Sequence, residues 1–139
     1  MRIKLFFAAA VVAVLALLAC SGGSDQGDAV KVNTKFVDAM ETYLNAIEKA
    51  DSPSAVVDAV NAYAREIEEL APEFKAIAAK HPDWRDMHKA PEELRPIQEK
   101  AAKIAAQIPT TIMKTMQYMM DPQVQEAHQR LQEAMAKMQ

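Results

Sequence analysis

Residues 52–80 read SPSAVVDAVNAYAREIEELAPEFKAIAAK, and the spacing of their apolar members decides the fold class. Val56, Val60, Tyr63, Ile67, Leu70, Phe74 and Ile77 follow one another at intervals of 4-3-4-3-4-3. That is the period of one face of an α-helix, and strand alternation cannot produce it. Arg65, Glu66, Glu68, Glu69, Glu73 and Lys75 fill the remaining sides, as a half-solvated helix requires. Ser52-Pro53 supplies an N-cap followed by proline at the first helical position. Pro72 points away from the stripe, which keeps its phase on both sides of it, so the spacing predicts a kinked but continuous helix.

The same pattern extends in both directions. Upstream, a helix over Val30 to Ala50 places Phe36, Val37, Met40, Tyr43, Leu44 and Ile47 on one face. Downstream, His81 to Ala90 forms a proline-bounded connection containing Trp84 and Met87. A third helix starts near Pro91-Glu92-Glu93, where carboxylates suit a helix N-terminus. Its expected stripe is Leu94, Ile97, Ala101, Ile104, Ile108, Ile112, Met116 and Met119, running past Pro96 and Pro109. Asp121-Pro122 repeats the cap-then-proline signal and opens a fourth helix with Val124, His128, Leu131, Met135 and Met138 inward. The expectation is an all-α, antiparallel bundle of about four helices over residues 30–139, some of them bent or split by Pro72 or Pro109. In an up-down-up-down bundle the end of helix 1 is expected beside the start of helix 4.

The N-terminus has a different character. Arg2 and Lys4 precede an unbroken apolar run from Leu5 to Ala19. Fifteen residues span roughly 22 Å as a helix, short of a ~30 Å hydrocarbon core, which suits a cleaved secretory signal better than a permanent span. Leu17-Leu18-Ala19-Cys20 resembles the lipobox of bacterial lipoproteins. That resemblance implies cleavage after Ala19, a diacylglyceryl group on Cys20 and anchoring of the mature chain to a membrane by its acyl chains. Cys20 is the chain's one cysteine, so it has no disulfide partner within the molecule. Ser21, rather than aspartate, follows it, which favours the periplasmic side of the outer membrane where the host has two membranes.

Residues 1–19 are thus expected to be a signal peptide, and 20–29 a lipidated cysteine with a flexible linker. All three glycines fall between Ser21 and Asp28, and all seven prolines lie beyond them. A domain without glycine lacks phosphate-cradling loops and nucleophile elbows. Loss of Arg2 and Lys4 leaves 14 basic against 19 acidic residues, a net charge of −5. A mildly acidic chain with no basic cluster argues against nucleic acid as a partner.

Few residues carry candidate chemistry. His128 and Met40 occupy core positions of helices 4 and 1. Met40-Glu41-Thr42, followed by Ile47-Glu48-Lys49-Ala50-Asp51, resembles the opening of the periplasmic four-helix-bundle b-type cytochrome. The resemblance implies haem held between Met40 and His128; without it, His128 reads as a hydrogen-bonded core or interface residue. Met113, Met116, Met119 and Met120 with Ile112 fall within an arc of about 120° at 100° per residue. Thioethers so spaced suit Cu(I), with Met113, Met116, Met120 and His128 as donors; the same arc also serves as a helix stripe or an adaptable apolar surface. His81, Asp83, Asp86 and His88 offer an oxygen and nitrogen donor set in the connection. For catalysis there is little to assemble: beyond the linker the serines are Ser52 and Ser54, both at a helix start. The expectation is therefore a non-enzymatic interaction or scaffold module of the cell envelope, held to a membrane through Cys20 and partnered by another envelope protein. Its alternative is a haem- or copper-binding bundle.

Overall fold

The computed structural model describes residues 23–80 and 92–138. Helix α1 spans Gly23–Lys49, α2 Pro53–Lys80, α3 Arg95–Ala105, α4 Ile108–Met116 and α5 Pro122–Ala136, with a 3-10 turn at Glu92–Leu94 leading into α3. Among the described residues there is no strand, and the fold is an all-α helical bundle with four arms: α1, α2, the broken pair α3–α4, and α5.

α2 carries the pattern that decides the fold. Val56, Val60 and Ile67 are fully buried, Tyr63, Leu70 and Phe74 nearly so, and the helix passes through Pro72 without interruption. Ser52 caps it, its hydroxyl accepting from the Ala55 amide at 3.3 Å. α1 begins at Gly23, seven residues before Val30, and so takes in residues expected to be linker. The reason is packing: Ala29 and Val32 are each only 2% exposed. They extend the stripe of Phe36, Met40, Tyr43 and Ile47 back by two turns, and Asp28 lies near the helix's positive end.

Cross-helix pairs fix the directions. Phe36 meets Phe74 edge-to-face with ring centroids 5.7 Å apart, and Tyr43 stacks on Tyr63 at 4.8 Å. Higher numbers on α1 thus meet lower numbers on α2, so these helices are antiparallel. Gln26 bonds Glu93 at 2.9 Å, Lys100 pairs with Asp38 at 2.7 Å and Glu41 at 2.6 Å, and Lys114 donates to the Glu48 carbonyl. Those numbers rise together, so α3–α4 runs parallel to α1. Arg130 reaches Asn61 at 3.5 Å and Lys137 reaches Glu68 at 2.6 Å, which sets α5 parallel to α2. The four arms therefore run up, down, up, down.

Their neighbours differ from the expected ones. α5 packs chiefly along α2, and α3 and α4 along α1, so that any contact between α1 and α5 is much lighter. Helix 4 thus lies mainly against helix 2 rather than helix 1. The α1–α2 hairpin is the centre of the molecule, with the other two arms laid along its two helices.

The third arm departs furthest from its sequence pattern. The chain turns at Ala106 and Gln107, where the Gln107 amide bonds Ile104 three residues back, at 2.9 Å. Pro109 follows in the first turn of α4, where its missing N–H removes no helical bond. Beyond the break the inward positions are Thr111 and Thr115, each about 6–7% exposed, in place of the expected Ile112 and Met116. The expected sequence 104, 108, 112, 116 advances by four each time, and each such step drifts 40° around a helix that turns 100° per residue. After three steps the stripe faces about 120° away from the core.

Candidate functional site

What that rotation leaves outside is the most distinctive surface of the described chain. Ile112 is 39% exposed, Met113 71%, Met116 58% and Met120 89%. These are the large apolar side chains that the described residues leave exposed. Met119, alongside them, is half-buried against the core. The backbone reason is local. α4 ends at Met116, and residues 117–121 continue as tight turns bonded three residues back, with Gln117 to Lys114 at 3.2 Å, Tyr118 to Thr115 at 3.0 Å and Met119 to Met116 at 3.4 Å. Asp121 then stops the turn and caps α5, its carboxylate accepting from the amides of Gln123 at 2.8 Å and Val124 at 3.4 Å. Met113, Met116 and Met120 are thereby carried on an ordered rod and not on a long loop.

The face is also uncharged. Between Ile108 and Met120 the one charged residue is Lys114, which leaves the opposite side of the helix to donate to the Glu48 carbonyl of α1. Elsewhere the exposed surface carries ion pairs such as Lys35–Glu73 and Arg130–Glu126.

The inner side of the same segment holds the bundle's polar core. Burial pushes the Tyr43 phenol up to about 12, with the Thr115 hydroxyl acting in the opposite direction. The two hydroxyls influence each other without reaching hydrogen-bonding geometry, since Thr115 Oγ1 is buried and makes no such bond. Tyr63 is raised further, by burial first and then by the adjoining Tyr43 and Glu66. These shifts keep both phenols protonated and suited to packing, not to proton transfer near neutrality.

His128 and Met40 are both buried, at 8% and 5% exposure. His128 belongs to the buried stripe of α5, the helix that packs on α2, and its Nδ1 bonds the Val124 carbonyl at 2.8 Å. The cross-helix pairs put His128 level with about residue 59 of α2, and Met40 level with about residue 68. Nine residues of helix is about 13 Å along the axis. The geometry therefore keeps Met40 and His128 on separate levels and separate helices, where they do not converge on one iron. His128 is likewise turned into the core while Met113, Met116 and Met120 point outward, so only the three thioethers remain a set.

Cys20 and the His81, Asp83, Asp86 and His88 group lie outside the described residues. Among the described residues no three His, Cys, Asp or Glu side chains gather as metal ligands, and no helix is long and apolar enough to cross a membrane. The exposed methionine face was legible as an arc in the sequence; its outward direction was not, because that depends on the turn at 106–107. No family model, curated protein or solved structure matches this chain.

Proposed function

We propose that this chain is a lipid-anchored envelope protein whose helical bundle binds another envelope protein through the methionine face of α4. The signal-like residues 1–19 and Cys20 supply the anchor, and the bundle supplies the binding surface. The observation that carries this reading is the outward-facing cluster of Ile112, Met113, Met116 and Met120, on a described surface that elsewhere carries ion pairs. Exposed apolar side chains grouped on one face cost solvation, whereas singly scattered ones are ordinary. Methionine's flexible, polarizable side chain suits such a surface, since it moulds to an apolar partner at little rotameric strain.

The partner's chemistry follows from the charge pattern. With Lys114 drawn to α1, the face offers nothing to an ionic partner, so its occupant presents an uncharged apolar patch. Anionic lipid is disfavoured on the same ground, because Lys114 is the one Lys or Arg between Ile108 and Met120.

The test is site-specific photocrosslinking in the producing cells, with the probe at Met116 and, as a control, at Glu69 on the charged side of α2. The reading expects one envelope protein joined through position 116 and not through 69, and the same pair binding when both are purified. Replacing Met113 and Met116 by Lys should abolish that binding while helicity is unchanged. Crosslinks to a second copy of this chain, to lipid alone, or equally from both positions would overturn it.

A further inference from the structure

The three most exposed large apolar side chains among the described residues are all methionines, Met113, Met116 and Met120. The deepest core positions, by contrast, are filled by Phe74, Ile47, Ile67, Leu94 and valines. A docking role accounts for the exposed apolar area, and the three sulfurs give the same face a second capacity, ligation of a soft ion. From their spacing and exposure we propose that Met113, Met116 and Met120 form a thioether site for a soft monovalent ion, Cu(I) or Ag(I). This goes beyond the docking role and stands without it.

Met113 and Met116 stand three apart on α4, where Cβ atoms lie about 5–6 Å apart, and Met120 follows in the tight turns that continue from the helix end. Each methionine side chain turns about three bonds, enough to swing the three sulfurs toward one ion without moving backbone. Reorienting them breaks no core contact, because all three side chains already project into solvent. Soft thioethers select Cu(I) over hard divalent cations. The one cation of residues 108–120, the Lys114 ammonium, is held toward α1 by the Glu48 carbonyl, away from the three sulfurs. Binding is simple coordination, with no bond broken and no electron transferred. His128 takes no part, its ring lying in the buried stripe of α5.

Thioethers carry no proton at any relevant pH. A three-methionine site therefore binds equally well at pH 5 and pH 7.5, whereas one that depends on histidine or a thiol weakens as the solution is acidified. The chain bearing Cys20→Ala, which removes its one thiol, is titrated anaerobically with Cu(I) against a chromophoric Cu(I) chelator. The expected result is one ion per chain, with affinity flat from pH 5 to 7.5. Adding Met113→Leu, Met116→Leu and Met120→Leu should weaken binding at least tenfold, while Met138→Leu leaves it unchanged. With methyl-labelled methionine, Ag(I) should shift the NMR signals of residues 113, 116 and 120 and leave buried Met40 and Met138 in place. Undiminished binding by the triple leucine variant, or affinity that falls steeply toward pH 5, would overturn the proposal. The leucine variant keeps the apolar area, so it should still bind the purified envelope partner; loss of metal alone and loss of partner alone are therefore separate results.

Discussion

The stacked pair Tyr43 and Tyr63 shows what single residues contribute here. Unfolded phenols ionise near pH 10, while folded Tyr43 does so at about 12 because it is desolvated. Between those values the unfolded chain gives up a proton that the folded chain keeps. The pair's contribution is thus complete below pH 10 and is lost as pH rises toward 12. Urea midpoints measured at pH 9 and pH 11.5 should fall sharply for the native chain and less for Tyr43→Phe. Equal falls in both would remove Tyr43 as the cause. Ile67, fully buried at the centre of α2, gives a second residue-scale expectation: Ile67→Ala should cost about 3 kcal/mol in chemical denaturation, by lost burial and the cavity left behind. Its inward position was readable from the 4-3-4-3 spacing. His128 was readable as a core position too. Its partner, the Val124 carbonyl, is set by a rotamer that spacing does not specify.

At the scale of elements, caps and prolines decide where helices stop. Asp121 bonds two amides at the start of α5, and Asp121→Ala should cost about 1 kcal/mol, seen as a lower denaturation midpoint. Pro72 sits exposed inside an unbroken helix, where it forgoes one backbone bond. Pro72→Ala should therefore raise stability by about 1–2 kcal/mol, less than the full interior proline penalty of about 3 because the site is already relaxed around the ring. A fall in the melting temperature of that variant would show Pro72 itself to be needed for packing. The cap signals at Ser52 and Asp121 located two helix starts from sequence. The break at 106–107 was less legible, since Pro109 is compatible with either a bend or a new start. The drift of the 4-4-4 spacing, together with Thr111 and Thr115, is the signal that could have found it.

For the whole molecule, class and chain direction were legible, and neighbours were not. Four amphipathic arms with short connections specify an alternating bundle, but the stripes of α3–α4 and α5 fit either helix of the central hairpin. The choice is made by specific pairs such as Lys100 with Asp38 and Glu41, and Lys137 with Glu68. These are exposed, so they select a register more than they add stability. That choice carries α5 to α2 and parts Met40 from His128, while the turn at 106–107 faces Met113, Met116 and Met120 outward.

The account as a whole rests on the anchor, because a face that recruits a partner acts at the envelope only if the chain is held there. The most direct measurement is mass spectrometry of the mature N-terminus, combined with detergent phase partitioning of the native chain and Cys20→Ala. The account predicts an N-terminal Cys20 carrying diacylglycerol, a native chain in the detergent phase, and a Cys20→Ala chain in the aqueous phase with unchanged helicity. A native chain that retains residues 1–19, or that partitions into water with an unmodified cysteine, would contradict it.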